Sequence, residues 1–336
     1  DDRRILVLAN ITYRDWSDVA TLDVVSGEMK LLVPAPGAVV YYLRDQKGEV
    51  RVAVVQDGQE RRVLLRDVKA RRWEEIGSHH MDGEGWEPIA FDGDNQTLFV
   101  WSDIGRKTKA IYRYDAEARR MGDLVFGDDT YDAVDANGAA AQTFTPSTIY
   151  DPLKKKIVGL SYAADRTRFH WLDEDMKALY RKLETSLPDT VHRPRQFASG
   201  GSRIIFFSSS DRDPGVYYLY DRERQKLSEL AVIKPGIDPE KMGRTKAVTF
   251  AARDGLTLHG YLTLPPVRSA KNLPLILHPH GGPFGIRDSW GWDPDAQFLA
   301  SRGYAVLQPN FRGSGGYGRS FIDLGRHQWG RAMQDD

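Results

Sequence analysis

Residues 273–318 read LPLILHPHGGPFGIRDSWGWDPDAQFLASRGYAVLQPNFRGSGGYG, and the fold is decided there. The stretch opens on the apolar run Leu275-Ile276-Leu277, which predicts a strand buried on both faces. It then breaks into His280-Gly281-Gly282-Pro283. Asp293-Pro294 pairs an N-cap residue with proline at the first helical position, predicting a helix over 294–302 that carries Phe298 and Leu299 inward and stops at Gly303. Residues 304–307 predict a second buried strand, and residues 310–318 form a glycine-rich loop. Strand, loop, helix and strand make one βαβ unit, so the sheet here is expected to be parallel.

Two glycines after a buried strand let the backbone turn with its N–H groups uncovered, since neither residue has a Cβ. Uncovered N–H groups at such a point suit the stabilisation of an oxyanion developing during acyl transfer. HGGP, the W-x-x-D-P helix start, RGYAV and NFRGSGGYG occur in one order within residues 280–318. In that order they resemble the start of the catalytic domain of the prolyl oligopeptidase family of serine peptidases, in particular its acylaminoacyl-peptidase and dipeptidyl-peptidase-like members. The resemblance implies an oxyanion hole that uses the Gly282 N–H, with Gly281 freeing the turn. It also implies His280, Pro283 and Arg312 as supports of the site loop. Trp290 and Trp292 are candidate pocket walls, weighed against an ordinary core role. Arg312 is open between meeting a substrate carbonyl or carboxylate and bracing its loop.

The 336 residues suggest about two domains, with 41% hydrophobic and 28% charged residues. Lys+Arg and Asp+Glu both number 47, which gives no sequence-wide pull toward nucleic acid or an anionic membrane. Cysteine is absent, which excludes disulfides and a thiolate nucleophile. No apolar run approaches the roughly 18 residues that span a bilayer. The compartment stays open. The chain begins at Asp1 with a strand-like run already under way, and its N-terminus reads as cut.

Residues 1–244 are rich in short strands. Alternating segments end on Asp23, Asp67, Asp115, Asp173 and Asp221, at spacings of 44, 48, 58 and 48 residues. A period of about 40–50 with several strands per unit predicts a β-propeller. Five repeats are present, and the resemblance implies about seven blades, two of them before Asp1. The aspartates are expected to end strands by accepting their own backbone N–H groups. Residues 234–243 read as a linker, and Asp254-Gly255 as a hairpin turn between two strands. The tail 319–336 reads as helix. The expected organisation is therefore an incomplete propeller over 1–244 and the start of an α/β-hydrolase domain over 245–336.

An α/β-hydrolase presents its serine in Gly-x-Ser-x-Gly, followed by an acid and a histidine. No serine here has that setting. The nearest, Ser161 in GLSYA, precedes the glycine loop and lies in a strand-like segment. The triad is thus expected beyond Asp336, and residues 1–336 alone are expected to be inactive. Gly313 to Gly318 fits G-x-G-x-x-G, but Pro309 to Arg312 separates strand from glycines where a dinucleotide turn is immediate. His278 and His280, with Asp288 nearby, lack a third well-spaced metal ligand. His79-His80 with Asp82 and Glu84 reads as a solvated turn. Asp15, Glu84 to Glu87 and Glu174 are undiscriminated candidates for holding a substrate's amino terminus. The resemblance implies short peptides as substrates, no metal or organic cofactor, no nucleic-acid or membrane partner, and room for a homo-oligomer of the full-length protein. A propeller module with a non-catalytic hydrolase half is the alternative, and peptidase against esterase is left open.

Overall fold

The computed structural model describes residues 3–134, 148–266, 271–282 and 284–336. The chain divides into two compact units, Asp1–Arg106 with Ala110–Val125, and Lys107–Lys109 with Phe126–Asp336. The boundary expected at residue 244 falls inside the second unit.

The first unit contains three antiparallel sheets in which neighbours in space are neighbours in sequence. They are β1 (Arg4–Tyr13), β2 (Trp16–Asp23) and β3 (Met29–Val33); then β4 (Val39–Arg44), β5 (Val50–Asp57), β6 (Glu60–Asp67) and β7 (Arg72–His80); then β8 (Trp86–Phe91), β9 (Thr97–Ser102), β10 (Ala110–Asp115) and β11 (Arg120–Phe126). Middle strands supply the core: Val52, Val54, Val63, Phe91, Leu98 and Val100 pack together without solvent exposure.

The second unit adds two further meandering sheets, β12 (Thr148–Asp151), β13 (Lys156–Ala163) and β14 (Thr167–Trp171), then β15 (Val191–Ala198), β16 (Arg203–Ser209), β17 (Val216–Asp221) and β18 (Lys226–Val232). These five sheets are the expected blades. The expected strand-ending role of aspartate is found at Asp23, Asp67, Asp115 and Asp221. Asp67 Oδ1, for example, accepts the N–H groups of Lys69 and Ala70 at 2.9 Å each. The residue four positions on has positive φ each time: Gly27, Arg71, Arg119 and Gln225. Asp151, whose Oδ1 accepts the Leu153 N–H at 2.9 Å, begins the same turn, with Lys155 at φ 50°.

Asp173 departs from the pattern. Its carboxylate accepts the Met176 N–H at 3.1 Å and caps α1 (Glu174–Ser186), a helix the repeat reading did not foresee. The helix takes the place of a fourth strand and lays Met176, Leu179 and Leu183 on Ile149, Val158, Ile204 and Phe206. Its spacing of apolar residues by three and four was legible once the aspartate was read as a cap. Lys154 and Lys156 reach the same carboxylate at 2.6 and 2.9 Å.

A mixed sheet follows, in the order β19 (Arg244–Ala251), β20 (Thr257–Leu264), β22 (Ala305–Asn310) and β21 (Leu275–Leu277), with α2 (Pro294–Ala300) between the last two in sequence. β21 and β22 pair in parallel, as the βαβ pattern predicts, and Asp254-Gly255 forms the predicted hairpin turn.

Three local expectations fail. Within residues 1–336 β21 has a strand partner on one side only, and Leu275 and Leu277 stand 58% and 61% exposed rather than buried. In α2 the inward residues are Ala296, Gln297 and Ala300, while Phe298 is exposed. Gln297 wins that face because its amide bridges strands: Oε1 accepts the Gly243 N–H and Nε2 donates to the carbonyls of Gly243 and Asp211, all at 2.8 Å. The tail is two short helices, α3 (Arg319–Asp323) and α4 (Ala332–Asp335), separated by turns, with His327 at φ 57°. Among the described residues no helix is long and apolar enough to cross a membrane.

Candidate functional site

β21 ends at Leu277, and the next residue, His278, still donates its N–H to the Leu307 carbonyl at 2.8 Å. Pro279 has no N–H and cannot extend the ladder. The chain therefore leaves the sheet, and Gly281 and Gly282 are both exposed. Among the described residues neither amide donates to a backbone carbonyl. Gly282 has φ 75°, and a Cβ there would lie 2.5 Å from Ile286 Cδ1. Glycine adopts this left-handed φ without strain, whereas a Cβ would be strained and would require the Ile286 side chain to shift. Pro283 lies outside the described residues.

His280 ties this turn to the loop after β22. Its ring stacks on Phe311 with centroids 4.5 Å apart. Nε2 lies 2.9 Å from Ser314 Oγ and Nδ1 3.2 Å from the Gly281 carbonyl. Burial pulls its pKa below the ordinary histidine value, so the ring is neutral at pH 7. A carbonyl can only accept, which places the proton on Nδ1 and leaves Nε2 to accept from the Ser314 hydroxyl. With both nitrogens engaged, His280 is not half of a metal-binding pair with His278. Gly282 and His280 line a cleft of about 410 Å³, together with Leu277, Phe311, Trp329 and Met333.

Arg312 is buried and spent on carboxylates. Nε and Nη2 reach the two oxygens of Asp336 at 2.7 and 2.5 Å, and Nη1 reaches Asp254 at 2.9 Å. The hydrogen bonds it donates to Asp336 and then to Asp254 raise its pKa further. Of its two expected roles, the structure places it in the bracing one. The glycine-rich loop is likewise packed: Gly313, Ser314 and Gly315 donate their N–H groups to the carbonyls of Phe321, Phe311 and Ile286. Three successive amides of the loop are thus committed to carbonyls of its own chain, unlike those that cradle the pyrophosphate in a dinucleotide loop.

Trp290 is not a pocket wall. It is 6% exposed, packs with Val191 and Tyr261, and donates Nε1–H to the Thr245 carbonyl at 3.1 Å. Trp292 is half-buried and does not line the Gly282 cleft. In both cases the apolar area of the ring goes to packing rather than to an open site.

The sequence reading passed over Arg287. Its guanidinium is 4% exposed and donates to the carbonyls of Ala163 and Ala164 and to the Tyr261 hydroxyl, each at 3.1 Å. It also stacks over the Tyr317 ring at 4.4 Å. One side chain thus fixes the segment after the glycine turn against β13 and β20. Next to it, burial and then the Asp293 charge push the Asp288 carboxyl up to about 6.

The remaining candidates disperse. His79 is not in a solvated turn: its side chain is 8% exposed and bonds Glu87 at 3.1 Å, and Glu87 also accepts from the Tyr41 hydroxyl. Glu84 accepts the Gly105 N–H, Glu174 pairs with Lys177, and Asp15 is exposed on a turn. Among the described residues no group of three or more His, Cys, Asp or Glu is arranged to hold a metal ion.

Comparison with known proteins agrees with this architecture. Residues 290–336 match the model of the prolyl oligopeptidase family. Over 340 aligned residues the chain is 30% identical to dipeptidyl aminopeptidase BIII of Pseudoxanthomonas mexicana, covering 99% of this chain and 47% of the relative. It is 33% identical over 231 residues to dipeptidyl peptidase family member 6 of Caenorhabditis elegans, covering 55% of this chain and 31% of that one. A solved puromycin hydrolase superposes with a TM-score of 0.68 at 18% identity, over 99% of this chain and 52% of that one. A prolyl endopeptidase gives 0.67 at 13% identity, over 99% and 48%. The chain spans about half the length, or less, of the relatives it matches.

Proposed function

With the chain bearing the signature of the prolyl oligopeptidase family, we propose that the protein it contributes to hydrolyses short peptides by acyl transfer. The observation that carries this is the turn at Gly281-Gly282: two amides outside the sheet ladder, the second at a left-handed φ that glycine adopts without strain, beside an open cleft. In this reaction a serine attacks the substrate carbonyl and a histidine takes its proton. The Gly282 N–H, with the N–H following the serine, holds the oxyanion. His280 orients the turn from behind, and its neutrality keeps a positive charge out of the loop wall. None of residues 1–336 stands in a Gly-x-Ser-x-Gly setting, so the nucleophile is supplied by chain that follows.

A fluorophosphonate probe tests this. The 336-residue chain is expected to stay unlabelled, and protein extended through a downstream Gly-x-Ser-x-Gly to label once per chain and cleave short peptides. Stoichiometric labelling of a serine within residues 1–336 would overturn the assignment of the nucleophile. An extended protein that labels but cleaves only esters would overturn the peptidase assignment.

A further inference from the structure

We propose that Ser314 is a positioning residue for the oxyanion hole: its hydroxyl anchors the His280 ring, and the ring holds the peptide plane that carries the Gly282 N–H. The carbonyl of Gly281 and the N–H of Gly282 belong to one planar trans peptide, so they point in opposite directions. Whatever grips that carbonyl therefore aims the amide. His280 Nδ1 lies 3.2 Å from the carbonyl oxygen and carries the proton that binds it. A hydrogen bond at the carbonyl also polarises the amide and strengthens its N–H as a donor.

The grip is only as firm as the ring, and the ring is fixed at two further points. Its face stacks on Phe311 with centroids 4.5 Å apart, which sets its plane but leaves it free to turn within that plane. The bond between Ser314 Oγ and Nε2, at 2.9 Å, removes that freedom. Ser314 is itself a fixed point. It has no solvent exposure, and its N–H donates to the Phe311 carbonyl at 3.0 Å. On either side of it the backbone is tied to the segment after the glycine turn: the Gly313 carbonyl accepts the Gly285 N–H at 3.1 Å, and the Gly315 N–H donates to the Ile286 carbonyl at 3.0 Å. Ile286 is also the residue that a Cβ at Gly282 would meet. The loop after β22 thus references the turn from two directions, through Ile286 against Gly282 and through Ser314 and His280 onto the Gly281 carbonyl. The oxyanion role rests on the peptidase reading; the clamp itself rests on these contacts.

The test begins on the 336-residue chain, by nuclear magnetic resonance of the Gly282 amide and of the His280 ring, the ring signals being assigned by their loss in His280→Asn. Ser314→Ala is expected to shift the Gly282 amide and to speed exchange of the Nδ1 proton with water, at a melting temperature that shows the variant folded. In protein extended through the catalytic serine, the same substitution is expected to lower kcat about tenfold and leave KM within about twofold, since a misaimed donor is felt in the transition state. The Asn side chain keeps an N–H donor where Nδ1 stood, so Ser314→Ala added to His280→Asn is expected to cost nothing further, a non-additivity that a mere packing role would not give. An unmoved Gly282 amide, an unchanged kcat, or equal costs of Ser314→Ala with and without His280→Asn would each overturn the proposal. The resonance measurements need no turnover, so a failure of the peptidase assignment leaves them readable.

Discussion

The middle strands of the first unit and the strand that leads to the glycine turn are both short apolar runs, yet they end up in opposite environments. Val52, Val54, Leu98, Phe99 and Val100 have no exposure, whereas Leu275 and Leu277 are more than half exposed. In the meandering sheets every inner strand is flanked by the strands immediately before and after it in sequence, so local turns complete its burial. In the mixed sheet β22 inserts between β20 and β21, and β21 is left with a partner on one side only. Apolar character sets what a strand prefers, while strand order sets what it receives.

Substitutions that damage the glycine turn while sparing the blades would sharpen this contrast. In protein carrying the catalytic serine, Gly282→Ala is expected to lower kcat by roughly 10²–10³, because the added Cβ meets Ile286 and turns the amide away from the oxyanion. An unchanged kcat would detach the turn from the chemistry. Arg287→Met is expected to cost on the order of 3 kcal/mol in denaturant unfolding of the second unit, since it strands two carbonyls and a hydroxyl. A cost near zero would show that the loop is held by packing alone.

Asp288 makes a smaller, pH-dependent test. Its folded pKa is raised to about 6 by burial and by Asp293, so the ionised form is the penalised one. Its contribution to stability is full below the unfolded value near 3.8 and is lost as pH rises through about 6. Asp288→Asn should therefore stabilise at pH 7 by about 1–2 kcal/mol, after allowance for solvent screening, and make no difference below about pH 4. A gain that persists at low pH would point to a cause other than ionisation.

The smallest effect belongs to the blade turns. Arg71→Gly, at φ 53° in the turn that Asp67 begins, is expected to stabilise by about 0.5–1 kcal/mol, relief of left-handed strain outweighing the flexibility glycine adds to the unfolded chain. A melting temperature that falls would mean the flexibility term dominates. Limited proteolysis compares the regions directly: residues 246–336 are expected to be cut before β4 to β11. The reverse order would undo the contrast drawn from Leu275 and Leu277.

Much of the molecule was legible as sequence because its signals are local. Asp67 and Asp115 announce their turns through carboxylates that need only the next three residues, and Asp293-Pro294 announces α2 in the same way. Asp173 misled because one residue type serves two ends: the same carboxylate that closes a strand also caps a helix, and only the apolar spacing beyond it separates the cases. Trp290 stayed open between two roles because a large ring near a glycine turn fits both a core and a pocket; the Thr245 carbonyl that takes its N–H lies 45 residues away in sequence. Arg287 was silent for a similar reason, since its acceptors at Ala163 and Ala164 are backbone atoms over 120 residues away and leave no mark on side-chain pattern.

The order of residues thus determined by itself the repeating strands, the turns that end them and the sharp glycine bend after β21, each a matter of backbone preference within a few positions. Tertiary structure alone decided which apolar runs are covered, that Arg312 is a brace, and that the Ser314 hydroxyl meets the His280 ring across 34 residues of sequence. Those outcomes depend on partners distant in the chain. Burial and charge pairing are properties of what surrounds a side chain, and surroundings exist only once the chain has folded.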